Sequence, residues 1–304
     1  MLLYKRAAQL SFFEIVSHIA ALRARVAVGK LQERNLRRMK KEVWTAASSW
    51  GVTGAGYERF SEHFADALYH CVQRLAPGPG ETILDVATGT GWTARLLASR
   101  GATVTGVDYS KELVTAAREI AQQRGLGITF DVGDAQQLPY PDQSFDAICS
   151  TFGVIFASQP DLVAQELARV CRSGGRLALA VWAKDCSLGT MAREVFAKFS
   201  PPPQDPPPPS PYAWGREDRM RELLEPEFEL EFEHGCTVLR EPDGDSVWRL
   251  WKATHGLTVT RLSALDADSK EAFKEAFINF HERYRTPVGI AMPRDYIIAI
   301  GSRR

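Results

Sequence analysis

Between residues 82 and 182 the chain repeats one pattern: a short apolar run, a small-residue turn, then a one-faced amphipathic stretch. Thr82-Ile83-Leu84-Asp85-Val86 is the first run, apolar and β-branched as buried strands are. The turn from Ala87 to Gly91 follows it. Ala94, Leu97 and Ala98 then share a helical face that Arg95 and Arg100 avoid. Residues 102–108, 128–132, 145–150 and 177–182 read as four more strands, with helices over 111–124 and 162–171. Strands alternating with helices over short loops predict an α/β fold built on a doubly wound, mainly parallel sheet. A glycine turn between a strand and a helix presents backbone N–H groups to a nucleotide-like ligand.

Outside that span the pattern changes. Helices are expected from Val43-Trp44 onward and over Tyr57–Leu75, joined by a hinge at Gly51–Gly56. That glycine-rich hinge follows no strand and lacks a lysine, so it is not a phosphate loop. After Asp185, residues 188–199 read as a helix and 200–211 as a polyproline connector. A helix over 217–224, alternation at 228–233, a strand ending at 238–240, helices at 245–254 and 270–284, and an apolar strand at 296–301 complete the chain.

Composition narrows the function. The 304 residues carry 37 basic and 37 acidic side chains, so no global field recruits nucleic acid or an anionic surface. Five scattered cysteines without a CxxC predict a reducing, cytoplasmic setting and no disulfide framework. No apolar run is long enough to span a bilayer. No His/Cys/carboxylate spacing suggests a metal. Residues 1–43 stand apart, rich in Lys and Arg with only Glu14, Glu33 and Glu42 opposing. They read as a helical extension, with Met39 an alternative start; a presequence or a basic surface helix are the other readings.

The glycine turn admits two ligands. Gly89-x-Gly91-x-x-Ala94, with Asp108 nineteen residues after Gly89, satisfies the spacing of a dinucleotide site. Asp85, read as facing the crevice at the end of its strand, would repel a pyrophosphate and favour an ammonium-bearing ligand.

Five ordered motifs carry a family resemblance. Asp85-x-Ala87-x-Gly89-x-Gly91 resembles motif I of the class I S-adenosylmethionine-dependent methyltransferases, with Ala87 where a glycine is usual. The second-strand acid matches Asp108, and Gly133-Asp134-Ala135-Gln136-Gln137-Leu138-Pro139 resembles the third-strand G-D-A-x-x-L-P signature. Ser144–Ile148 and Arg169–Leu177 resemble the fourth strand and the turn into the fifth. The similarity, of the methyltransferase type 11 group and loosely of quinone-biosynthesis methyltransferases, covers roughly residues 80–184.

The resemblance implies a seven-stranded sheet with an antiparallel last strand and a single domain over 44–304. Within it lie a cofactor core at 79–184, lid and acceptor-shaping insertions at about 185–290, and a final strand at 294–303. It implies S-adenosylmethionine as cofactor and a small-molecule acceptor. Implied cofactor-binding residues are Tyr57, Asp85, Ala87, Thr88, Gly89, Gly91, Asp108, Tyr109, Asp134, Ala135, Gln136 and Ser150. Asp85 would support the methionyl ammonium, Asp108 the ribose, and Asp134 with Ala135 and Gln136 the adenine; Tyr57 or Trp92 would offer an aromatic face to the sulfonium. A hydroxyl or thiol acceptor would need to lose a proton, and of six histidines His255 is the candidate base. An NAD-dependent oxidoreductase and a cofactor-binding protein without catalysis are the alternatives.

Overall fold

Parallel pairing outward from Thr82 sets the frame. The computed structural model describes residues 46–200 and 209–304. The extension expected at 1–43 and the core of the polyproline connector lie outside these residues. Strand β1 (Thr82–Val86) pairs on one side with β2 (Thr103–Asp108), and β2 with β3 (Thr129–Val132). On its other side β1 pairs with β4 (Phe145–Thr151), and β4 with β5 (Cys171–Trp182). All four pairings are parallel. Helices lie on the faces, so Ile83, Leu84 and Val86 are wholly buried, as the unbroken apolar run requires.

The far side of β5 is antiparallel. Strand β6 (Phe228–Glu241) and the two-residue β7 (Arg285–Thr286) both pair with β8 (Gly289–Arg303), which pairs in turn with β5. The path is β3-β2-β1-β4-β5-β8-β6, the seven strands expected, with β7 a short hairpin off it.

Several boundaries differ from the sequence expectation, each for a physical reason. The two strands expected at 228–233 and 238–240 are one, because β8 pairs with the whole length from Phe228–Arg303 to Glu241–Ile290. Gly235 does not interrupt it: a Cβ there would lie 2.2 Å from Tyr296 Cζ, so the ring occupies the space a side chain would fill. The expected Tyr57–Leu75 helix divides into Tyr57–Glu62 and Ala65–Leu75. Arg294 on β8 donates from Nη2 to the His63 carbonyl at the break. The helix Gly256–Ala264 has no strong periodicity; it forms against the N-terminal helices, where Gly256 leaves no room for a Cβ beside Ser49 O.

Around the first strand, local chemistry fixes the turns. Gly91 takes φ +79° and caps the Trp92–Ala98 helix, a left-handed conformation that disfavours any side chain. Ser110 caps the Lys111–Gln123 helix, its Oγ accepting from Leu113 N at 3.3 Å.

Gly91→Ala is expected to destabilise the fold by about 2 kcal/mol or more, because its Cβ would lie 2.7 Å from Phe130 Cζ as well as strain the backbone. Gly174→Ala has a similar φ, +73°, but open space around it, so only about 1 kcal/mol is expected. Urea unfolding of the two variants side by side separates strain from collision.

Candidate active site

A cavity of about 250 Å³ opens above the C-terminal ends of β1, β2, β3 and β4. Its floor is the turn after β1, where Ala87 and Gly89 both hold φ +56°. Thr88 N donates to Val107 O at 3.0 Å, binding the turn to β2. Gly89 N donates to Asp108 Oδ2 at 2.8 Å and Ser110 N to Oδ1 at 2.9 Å. Burial raises the Asp108 carboxyl above its ordinary range, against the pull of these backbone amides. Tyr57 closes over the turn: a Cβ on Gly89 would sit 3.3 Å from its Cε1. Burial, and then the charge of Asp108, push the Tyr57 phenol well above its usual range.

Asp134 stands beyond β3. Its Oδ1 accepts from Gln136 N at 2.9 Å, and Gln136 Oε1 accepts from Ser158 Oγ and Gln159 N. That pairing ties the loop after β3 to the loop after β4. Tyr109 sits half-exposed at the rim. Tyr57, Ala87, Thr88, Gly89, Asp108, Tyr109, Asp134, Ala135 and Gln136 therefore share one cavity.

Four expected residues do not line it. Asp85 is wholly buried beneath the turn and does not face the crevice. Its Oδ2 accepts from Thr88 Oγ1 at 2.6 Å, while Oδ1 is buried without a hydrogen-bond partner. Burial raises its pKa to about 7. A carboxylate so placed does not meet a pyrophosphate in the crevice, so the expected repulsion of a dinucleotide at contact range is absent. Gly91 faces Phe130 and Ala117 and serves the backbone turn. Ser150 lies inside β4, fully buried, its Oγ unpartnered.

His255 is the fourth. It stands behind the wall, its ring 5.2 Å from Trp50, 4.8 Å from Phe60 and 4.3 Å from Trp251 between centroids. Its Nδ1 pairs with Thr258 Oγ1 at 2.8 Å. Burial, and then Arg261, pull its pKa down to about 3. A neutral imidazole tied on one side and walled off on the other is ill placed to take an acceptor's proton.

Sequence reading missed most of the aromatic wall. Trp50 meets Tyr57 at 5.8 Å and Phe156 at 4.8 Å, both edge-on. Phe152 stacks on Trp182 at 3.9 Å with the planes 16° apart. Thr93 and Thr151 pair their hydroxyls at 2.7 Å. Trp92, named from sequence with Tyr57 as an aromatic face, also lines the cavity. These residues come from separate elements, and only the Ser-Thr-Phe-Gly-Val-Ile-Phe stretch at 150–156 was a signal.

A latch holds the Tyr57–Glu62 helix down as a cap over the turn. Glu58 Oε2 accepts from Thr90 Oγ1 at 2.7 Å, and Arg95 Nη1 donates to Thr90 O at 2.7 Å while Nη2 reaches Glu58 Oε1. Among the described residues, none between 185 and 290 lines the cavity. The Gly244–Thr254 and Gly256–Ala264 helices instead stand behind the cap, with Trp251 against Phe60 at 5.2 Å.

Residues 84–179 match the family model of a methyltransferase domain. An uncharacterised protein of Mycobacterium tuberculosis is 37% identical over 147 residues, 48% of this chain and 53% of its own length. The methyltransferase GfsG of Streptomyces halstedii is 41% identical over 159 residues, 51% of this chain and 55% of its own. The chain thus spans about half the length of these relatives. The YcgJ protein of Bacillus subtilis superposes with a TM-score of 0.54 at 20% identity, over 79% of this chain and 99% of that one, a likeness of fold.

Asp85 makes stability depend on pH. In the unfolded chain its proton leaves near the ordinary value of 3.8, but in the fold it is held to about 7. Its contribution is therefore full below pH 4, declines as pH rises, and is lost by about 7. Asp85→Asn, which cannot ionise, is expected to lack this decline. The difference between wild type and variant in urea unfolding free energy, measured from pH 4 to pH 8, reads it directly.

Proposed function

We propose that this chain, whose residues 84–179 match a methyltransferase domain, transfers a methyl group from S-adenosylmethionine to a small-molecule acceptor by in-line displacement. The observation that carries this reading is the meeting of Asp108, Asp134 and the Ala87–Gly89 turn around one cavity. The residues suit the cofactor. Each Asp108 oxygen accepts one backbone N–H, and a carboxylate has about four lone-pair sites, so room remains for two ribose hydroxyls. Asp134, Ala135 and Gln136 form a polar edge for an adenine, beside the ring of Tyr109. The turn at Gly89 lets backbone approach a methionyl chain where a side chain would meet Tyr57.

When bound, the cofactor would supply an electrophilic methyl group on a sulfonium. The chain's part is then position and dryness. Trp50, Tyr57, Phe152 and Phe156 wall the space and exclude water, while the turn and Asp108 hold one reactant in register. Asp85 acts from below, on Thr88 and the shape of the turn. The enclosed aromatic cavity favours a small acceptor.

Calorimetric titration with S-adenosylmethionine, S-adenosylhomocysteine and NAD tests this reading. The first two are expected to bind and NAD is not; binding of NAD alone would replace the proposal with an oxidoreductase. Asp108→Ala and Asp108→Asn should weaken S-adenosylmethionine about tenfold or more, from the loss of charge-assisted hydrogen bonds. Unchanged affinity in both would remove Asp108 from the site.

A further inference from the structure

We propose that the acceptor binds and reacts as an oxyanion or thiolate, favoured by the buried guanidinium of Arg294 behind the aromatic wall. This rests on the methyl-transfer reading above and names the acceptor's chemical class.

Two observations converge on it. Among the described residues, the titratable side chains lining the cavity are Tyr57, Asp108, Tyr109 and Asp134. Asp108 and Asp134 already accept from backbone amides around the β2 and β3 loops, and the Tyr57 phenol is held protonated. Among those residues no imidazole or amine lines the cavity, and His255 behind Trp50 is held off from it by that ring. A hydroxyl or thiol acceptor must still lose one, because the neutral group is a poor nucleophile.

The second observation is a cation with no ion-pair partner. Arg294 is 1% exposed and forms no ion pair among the described residues. Its Nη2 donates to the His63 carbonyl, while Nε has no partner. Its Cζ lies 5.9 Å from the ring centroids of both Phe64 and Trp182. Those two rings contact Phe152, at 5.5 and 3.9 Å, and Phe152 lines the cavity from a backbone at φ +60°. The charge thus sits two aromatic layers from the cavity, behind Phe64 and Trp182 and then Phe152. Burial lowers its pKa to about 10, so it stays a cation at neutral pH. The groups facing it are exposed Asp66, the thiols of Cys186 and Cys236, and the imidazoles of His63 and His281. Burial lowers both imidazoles, which therefore stay neutral near pH 7.

A buried cation with no ion-pair partner, its nearby carboxylate Asp66 being exposed to water, costs several kcal/mol in general, so a site retaining one is a candidate for binding negative charge. Acting across those two layers at an effective dielectric of about 20, it would lower an acceptor's pKa by about one unit at most. The acceptor's proton passes to solvent water. Its electron pair then forms the bond to the methyl carbon as the carbon–sulfur bond breaks, and that bonding pair leaves with sulfur as a neutral thioether.

The probe is 4-nitrophenol, titrated spectroscopically with the full chain in the presence of S-adenosylhomocysteine, since its phenolate absorbs in the visible. In wild type the bound probe is expected to ionise below the free compound, by about one pH unit at most. Arg294→Met should abolish the shift, and Arg294→Lys should keep most of it. Ionisation at or above the free value in wild type, a shift that survives in Arg294→Met, or no saturable binding would each overturn the proposal. If Arg294→Met fails to fold, wild type and Arg294→Lys decide. Calorimetry with S-adenosylhomocysteine on the same samples reports the cofactor reading separately, so the two can fail independently.

Discussion

The bond from Gly89 N to Asp108 Oδ2 is the contact on which the cavity depends. It crosses from the turn after β1 to the end of β2, and so fixes a glycine in a left-handed conformation that would otherwise wander. Two further acids brace the same turn from other sides. Asp85 holds Thr88 from below, and Glu58, with Arg95, holds Thr90 from the cap. A loop of five residues is thereby pinned to the sheet, the adjoining strand and the Tyr57–Glu62 helix at once. Such bracing suits a site whose chemistry asks for position more than for dedicated acid–base groups.

Bracing of this kind puts charge where water is scarce. Asp85 and Asp108 both have raised carboxyl pKa values, because desolvation outweighs the amides and hydroxyls that bond to them. Arg95 is buried but paired with Glu58. Arg294 is buried among aromatic rings with only a carbonyl partner. The low-dielectric cluster at this end of the sheet makes each of these charges count for more than it would at the surface. It also gives the two ends of the cavity opposite character, acidic around β2 and β3, electropositive behind Phe152.

The helices inserted between β5 and β8 act at one remove. Trp251 and His255 press on Phe60 and Trp50, which in turn face the cavity or its lining. An insertion expected to cover the pocket instead supports the element that does. Among the described residues no helix is long and apolar enough to cross a membrane.

How much of this was legible in the chain follows from range. The strand-turn-helix at 82–98, the acid ending β2, the Gly-Asp-Ala loop and the order of five motifs are local patterns, set by side-chain period and turn chemistry. They gave the parallel sheet and nine of the residues that meet in the cavity. Which way a side chain faces at a strand's end is not local. Asp85 follows Ile83 and Leu84 in the strand and turns under the loop, where Thr88 bonds it. His255 and Trp50 lie about two hundred residues apart, and only packing decides that the tryptophan forms the wall and the histidine its backing. Arg294 looks from sequence like one more charge near a final strand. That it is buried without an ion pair depends on the rings and carbonyl that β5, β8 and the segment before the Ala65–Leu75 helix bring around it. Sequence determined the scaffold and the acids that would edge a cleft; tertiary structure decided which reach it, because burial and partnership are properties of neighbours, not of residues.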